Sequence, residues 1–322
     1  MNSKMEGIKP NIGTLDDLYY ELGKVDMTAG WIDRDTPILR SQPTTDFRPM
    51  HWRYRQSKEA LDIAGRLINT ELAERRNLIM RNPVEPNDIA TTRTLVSAYQ
   101  MILPGEKARS HRHAPHALRV IIDGKGSYST VDGEKTPMET GDILLTPGWC
   151  WHGHGHDGEE PAYWFDGLDV PLNHLLEPMF FEDHPEGFEE VEVVTETSPY
   201  RFSWDDTLKE LEEAESDIEE FYGPSILLDA PSMPTMGLYV HRWDSGLTTR
   251  RYRSATNNVF VIMQGAGITT IEGEKFEWER GDTIAAPVWK WIEHCSSEDS
   301  VVFRMTDEPI MKFARYYRIE GD

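Results

Sequence analysis

The chain has 322 residues, 39% hydrophobic and 28% charged, an ordinary globular balance with room for a large core or two domains. A formal net charge of −23 repels phosphate backbones and anionic lipid, which argues against nucleic-acid and membrane-surface roles. Two cysteines, Cys150 and Cys295, are too few for a disulfide framework and suit a reducing cytoplasm; the opening stretch MNSKMEGIKPNIGTLDDLYY lacks the apolar core of a signal peptide, and no run approaches the roughly twenty apolar residues of a membrane helix.

Residues 1–93 read as a mainly helical extension. Thr14 is placed to cap a short helix with Leu15, Leu18, Tyr19 and Leu22 on one face. A longer helix is expected from Ser57 through Ala60, Ala64, Leu67, Ile68 and Leu72, stopping near Asn82-Pro83. From Thr94 the texture changes to short apolar runs broken by glycine: TLVSAYQMIL, ALRVIIDG, GSYSTVDG, GDILLTP and PAYWFDG, with Asp132-Gly133 as a hairpin turn. Short strands at this spacing suggest a sandwich or barrel over 94–182. Residues 183–236 are acidic and read as a solvated connector with one amphipathic helix presenting Leu208, Leu211, Ile218 and Phe221.

Residues 237–322 then repeat the first barrel. Gly105 and Gly124 find counterparts in Gly246 and Gly265, Gly133-Glu134-Lys135 in Gly273-Glu274-Lys275, and Gly141-Asp142 in Gly281-Asp282. Pro147 and Trp151 match Pro287 and Trp291. Two copies of one β-barrel unit explain this pattern.

Six of the eleven histidines lie between 111 and 156. Residues two apart on a strand share a face, so His111 and His113 point together, and His152 from another strand completes a three-nitrogen metal site. Three protein ligands leave coordination positions open, which is a catalytic rather than a structural arrangement. The second copy carries Tyr252, Ser254 and Ile292 at these positions, so one copy is chemical and the other structural.

The spacing resembles the two cupin motifs. One runs from Gly105 through His111-x-His113 and Ala117 to Gly124; the other runs from Gly141 through Pro147 to His152. Most cupins have glutamate where this chain has Ala117. A cupin with three histidines and no such carboxylate is similar to the gentisate 1,2-dioxygenase family, with salicylate and 1-hydroxy-2-naphthoate dioxygenases as relatives. AERRNLIMRNP (73–83), ILPGEKARSHRH (102–113), GDILLTPGWCWHGHG (141–155) and WFDGLDVPL (164–172) carry the same resemblance over most of the chain.

The resemblance implies a mainly β fold: a bicupin of two jelly-roll barrels behind an N-terminal helical extension. It implies Fe(II) on His111, His113 and His152; imidazole also suits zinc, copper and nickel, so iron rests on the resemblance alone. The implied reaction opens a 2-hydroxybenzoate with dioxygen between the carboxyl- and hydroxyl-bearing carbons, in the simplest case gentisate to maleylpyruvate. The alternatives are salicylate, a 5-substituted salicylate such as 5-nitrosalicylate, or 1-hydroxy-2-naphthoate; outside the class stands a non-oxidative metal cupin, an isomerase or a binding module. A cytoplasmic homotetramer is the implied assembly.

Site roles follow the same way. Arg119 shares His113's parity and matches the family arginine that contacts the substrate carboxylate, for which a planar guanidinium is suited. Arg75 or Arg76 matches an arginine reaching the pocket from the N-terminal region, whereas Glu71-Leu72 stand where some relatives have another. Gln100 matches a pocket glutamine, and Val96 and Ala98 share its face and are expected to tune the ring substituent. His154 matches a residue that hydrogen-bonds substrate or oxygen. Asp166 matches an acid near the pocket, expected to orient a histidine or fix a loop. Phe181 is a candidate cover for the ring. His156 replaces the usual asparagine and is expected to bear on the substituent. Cys150 has no supported redox role.

Overall fold

The computed structural model describes residues 8–9, 11–35, 37–73 and 75–322, apart from the side chains of Glu71 and Leu72. Two compact units result, Met1–Pro43 and Thr44–Asp322. The first holds one helix, Leu15–Lys24, whose Thr14 Oγ1 accepts the Asp17 amide at 3.2 Å as an N-cap. No residue of this helix is buried.

The second unit contains two barrels, each of two facing sheets. The first barrel's wall runs Arg201–Phe202, Ile143–Thr146, Ala117–Asp123, Ala162–Leu168, Val96–Ile102 and Arg76–Ile79. Its facing sheet runs Phe181–Asp183, Lys107–His113, His152–His156, Ser127–Val131, Glu134–Met138 and Val193–Val194. The second barrel repeats the wall as Met50–Trp52, Thr283–Ala286, Asn258–Gln264, Ser300–Thr306, Gly237–Trp243 and Ser225–Leu227. Opposite lie Glu274–Glu279, Ala266–Ile271, Ile292–Ser296, Tyr252–Ser254 and Ile319–Gly321. Asp132-Gly133 and Glu272-Gly273 both turn their hairpins with two successive positive φ values, +45° and +80°, +52° and +84°; this is the primed turn that matches strand twist.

The two walls pack against each other, which explains why VSAYQMI and SVVFRMT are buried at every residue. Tyr99, Leu118, Val120 and Phe165 join Val259, Val261, Phe303 and Met305 in one apolar cluster between the barrels. The alternate residues Ala98, Gln100, Arg119 and Asp166 face the first barrel's interior instead.

The edge elements are exchanged. The strand Met50–Trp52 precedes the first barrel in sequence but pairs with Thr283–Ala286 of the second, and the Tyr54 amide donates to Asp282 Oδ1 at 2.8 Å, while the helix Tyr54–Leu67 that follows packs on Arg76–Ile79 and Val96–Ile102 of the first. Arg201–Phe202 precedes the second barrel but pairs with Ile143–Thr146 of the first, and the Trp204 amide donates to Asp142 Oδ1 at 3.0 Å, while the helix Trp204–Glu212 packs on Gly237–Trp243 and Ser225–Leu227 of the second. Each repeat therefore closes its neighbour.

Two helix expectations are corrected. The long helix ends at Leu67, not near Asn82, because Ile68 turns extended and Arg76–Ile79 pairs with Val96–Ile102, satisfying its backbone in a sheet; Leu72 lies in a separate short helix, Thr70–Ala73. In the connector, Leu208 and Leu211 do share a helix, but it stops at Glu212. Ile218 is 98% exposed, and Phe221 is buried in the second barrel's core. Both carboxylate oxygens of Asp217 accept backbone amides, from Phe221 and Tyr222, which favours a turn over helix. Among the described residues no helix is long and apolar enough to cross a membrane.

Candidate active site

His111 and His113 project from Lys107–His113, and His111 lies directly opposite His152 on the neighbouring antiparallel strand. A bulge between Ala108 and His111 re-aims this end of the strand. The connector closes the bulge: Ser110 N donates to Gly187 O at 3.0 Å, and Ser110 Oγ accepts the Glu189 amide at 2.9 Å. In HGHGH, His152 and His154 face inward and the glycines outward, because a Cβ on Gly153 or Gly155 would run into Ser110 Oγ or the Tyr128 ring.

The three ligand nitrogens lie within 4.8 Å of one another, and no other such His/Cys/Asp/Glu group occurs among the described residues. His113 Nδ1 donates to Pro115 O at 2.7 Å and His152 Nδ1 to Cys150 O at 3.0 Å, which leaves each Nε2 lone pair for a cation. His152 Nε2 is buried without a hydrogen-bond partner, the orphan a metal would satisfy. Burial pulls His113 down to about 4 against the Pro115 bond, with His111, Arg75 and Arg119 adding to the fall. Burial, then the neighbouring His113 and His111, lower His152 well below the ordinary range. His113 and His152 are thus neutral at physiological pH, as metal binding requires. This buried triad suits a metal.

A cavity of about 310 Å³ opens beside His111 and His113. Arg119, Gln100 and Asp166 form one wall: Arg119 Nη1 donates to Thr146 Oγ1 at 2.6 Å, Arg119 Nε lies 3.5 Å from Asp166 Oδ1, and Gln100 Nε2 donates to Asp166 Oδ2 at 2.7 Å. Asp166 thus spans the arginine and the glutamine; it orients no histidine and fixes no loop. Burial draws Arg119 down to about 10 with Asp166 opposing, and pushes Asp166 up with Arg119 opposing. Arg75 and Arg119 bring two guanidiniums to the cavity of a chain whose net charge is −23, and Asp166 is the carboxylate among the described residues that lines it.

Val96, Ala98 and Phe181 line the cavity, and Phe181, 55% exposed at the mouth, lies 5.2 Å from His111 between ring centroids. Arg75 reaches in, its Nη2 2.9 Å from His111 Nε2. Arg76 does not: the opposite parity of its strand turns it to Glu106, which takes its fork at 2.6 and 2.7 Å. His154 does not line the cavity; it is buried against Trp164 with neither ring nitrogen hydrogen-bonded. His156 is turned away, with Nε2 on the Glu160 carbonyl at 2.6 Å and the Gly158 amide on Nδ1 at 3.3 Å, so it holds a turn and bears on no substituent. Burial raises the Cys150 thiol to about 12, with Asp132 adding to the rise, which keeps it inert. Glu71 and Leu72 have no described side chains. Asn77, Ile79, Ile89, Leu168 and Val170 complete the wall, and sequence reasoning missed them. Leu168 shares Asp166's strand parity, a signal that was available.

Residues 98–170 match the Cupin domain family. The chain is 31% identical to gentisate 1,2-dioxygenase 1 of Aquipseudomonas alcaligenes, covering 94% of this chain and 95% of that protein. It belongs to the gentisate and salicylate 1,2-dioxygenase family. 5-Aminosalicylate 1,2-dioxygenase of Comamonas sp. is 30% identical over 94% of this chain and 89% of its own length. A mutant of salicylate 1,2-dioxygenase from Pseudoaminobacter salicylatoxidans superposes with a TM-score of 0.84 at 27% identity, covering 96% of this chain and 97% of that one. The protein is thus a bicupin ring-cleaving dioxygenase, and both barrels of the family fold are present.

Proposed function

We propose that this dioxygenase binds Fe(II) on His111, His113 and His152 and opens gentisate between its carboxyl- and hydroxyl-bearing carbons, with both atoms of dioxygen entering the product, maleylpyruvate. The observation that carries the reading is the pairing of a three-histidine site, with Ala117 in place of a carboxylate, and a cavity wall that carries Arg75 and Arg119. Bound iron would supply adjacent positions for acid and dioxygen and a path for electron density from ring to oxygen.

The protein's own groups do the rest. Arg119 pairs with the substrate carboxylate, and Asp166 holds Arg119 and Gln100 so that their donors stay aimed at the acid. Arg75 adds the second cation; in its present position it addresses the His111 Nε2 lone pair, so loading the triad exchanges that contact. His154 is buried and neutral with neither ring nitrogen hydrogen-bonded, and it backs the metal site beside His152, 6.2 Å between ring centroids. Val96 and Ala98 meet the ring, and Phe181 covers it. A cytoplasmic homotetramer is part of this proposal.

The apolar face of Ile79, Ile89, Leu168 and Val170 favours a second reading, in which the substrate is salicylate, a 5-substituted salicylate or 1-hydroxy-2-naphthoate. Oxygen uptake by iron-loaded protein, run against gentisate, salicylate, 5-aminosalicylate, 5-nitrosalicylate and 1-hydroxy-2-naphthoate, tests both. Gentisate should be consumed fastest. Inert gentisate beside an active relative overturns the first reading, and no uptake with any acid overturns both.

A further inference from the structure

We propose that Arg112 is a positioning residue for the histidine triad, acting from outside the barrel on all three segments that carry the site. The proposal rests on the triad as the metal site. Arg112 stands between His111 and His113 with the opposite parity, so it projects from the outer face while they project inward. Its guanidinium carbon lies 4.4 Å from the ring centroid of Trp149 and 4.4 Å from that of Trp151. Trp151 is the residue before His152. Arg112 Nε and Nη2 donate to Glu182 Oε2 at 2.9 and 2.6 Å. In that strand pair Glu182 faces Arg112, Phe181 faces His113, and Asp183 faces His111. One side chain therefore ties the strand of two ligands, the loop delivering the third, and the strand carrying Phe181.

The loop needs such a hold. Trp149 sits at φ +70°, a left-handed conformation that a bulky side chain adopts only under constraint. Its amide donates to His113 O at 2.8 Å, so the loop is bonded to the end of the ligand strand, and the arginine stack packs it from above. A planar cation between two indoles is a contact that lysine does not reproduce.

The second barrel supplies an internal control. Arg253, between Tyr252 and Ser254, lies 4.7 and 4.6 Å from the centroids of Trp289 and Trp291 and pairs with Glu320. Trp289 has φ +62°, and its amide donates to Ser254 O at 2.8 Å. The clamp is the same, but it spaces residues that bind nothing. Loss of either clamp costs stability; only loss of Arg112 disturbs ligand spacing.

The test titrates metal-free protein with cobalt(II) and follows the visible spectrum, alongside thermal unfolding, for wild type, R112A, R112K, E182Q and R253A. Removing a group that orients metal ligands weakens binding by about 10- to 100-fold. R112A should lose cobalt affinity in that range with an altered spectrum. R112K and E182Q should shift in the same direction by less. R253A should keep wild-type affinity and spectrum even where its melting temperature falls. Wild-type cobalt binding and spectrum in R112A overturn the proposal; if R112A does not fold, the same result in both R112K and E182Q overturns it. Wild-type protein that takes up no cobalt overturns this proposal and the metal-site reading beneath it, whereas inert gentisate leaves the clamp intact and removes only the substrate.

Discussion

On the inner wall of the first barrel Asp166 faces Arg119 and Ala98; at the same register in the second, Arg304 faces Phe260 and Tyr239. Gln100 has His241 as its counterpart, and the triad has Tyr252, Ser254 and Ile292. Trp243, Tyr252, Phe260 and Trp278 fill the second interior, and Arg304 is sandwiched between Tyr222 and Tyr239 at 4.1 and 4.2 Å. The sheet order, the hairpin turns, the indole clamp and the capping aspartate at the barrel edge are common to both. The frame therefore does not need a site, and the site does not need to hold the frame together. A cavity with cations and neutral imidazoles persists in one barrel because aromatic rings have not taken its volume.

The sharpest break in that comparison is H152A. It removes a ligand whose Nε2 has no other partner, so metal content and oxygen uptake should fall to background, as measured by elemental analysis and an oxygen electrode. In contrast, F260A empties part of the packed barrel. It should cost about 3–5 kcal/mol in denaturant unfolding and leave the kcat/KM of the folded enzyme within about twofold of wild type. Equal loss of activity per folded molecule in both variants would erase the distinction between the barrels.

R119A comes next. Losing a charge-assisted contact with the acid is worth about 1.5–3 kcal/mol, or roughly 10- to 100-fold in kcat/KM. R76A is its partner experiment: the bidentate pair with Glu106 lies off the cavity, so R76A should lower the melting temperature and spare KM. A raised KM in R76A would return that arginine to the pocket.

That pair also shows what was legible in the chain. His111 and His113 could be placed by strand parity because one short strand carries both; Arg119 lies on the next strand, across the break at residues 114–116, so its place, like that of Gln100, came from the resemblance. The choice between Arg75 and Arg76 could not be made, because it turns on a strand, Arg76–Ile79, that exists only through pairing with Val96–Ile102. The same blindness hid Asn77 and Ile79 in the wall. The exchange of strands Met50–Trp52 and Arg201–Phe202 between barrels is a long-range pairing with no local signature. His156 looked functional beside two histidines that face inward, and only the Glu160 carbonyl shows what it does.

Acid should separate the barrels next. Burial lowers His113, His152 and His154 in the first barrel and His241 and His294 in the second. A depressed folded pKa means that the unfolded chain binds more protons, so stability is intact above about 6.5 and is lost as pH falls through that window. His113, at about 4, accounts for about 2 kcal/mol of loss at pH 5. Metal competes with protons only for the triad, so loading should protect the first barrel and leave the second acid-sensitive. Melting curves from pH 7 to 4, with and without metal, should show partial protection; complete protection would mean that His241 and His294 carry no cost.

The smallest effect tests how the barrels lean on each other. Thr94, just before the first barrel, donates to Asp307 Oδ2 of the second at 2.6 Å, and Thr235, just before the second, donates to Asp169 Oδ2 of the first at 2.6 Å. Each lost bond to a carboxylate should cost about 1–2 kcal/mol, so T94A and T235A should unfold alike. Their effects on catalysis should differ. Asp169 Oδ1 also accepts the His116 amide at 2.8 Å, and the His116 ring accepts the Gly148 amide at 2.9 Å, so this carboxylate steadies the turn between His113 and Ala117 at the cavity edge. Asp307 makes the matching bond to the Asn257 amide at 2.8 Å, beside a barrel with no site. T235A should therefore raise KM by a factor of about two to five, a few tenths to one kcal/mol, while T94A leaves it unchanged. Equal KM in the two variants would mean that the crossing bonds are pure scaffold; a shift confined to T235A would make the second barrel's leading segment part of what shapes the first barrel's pocket.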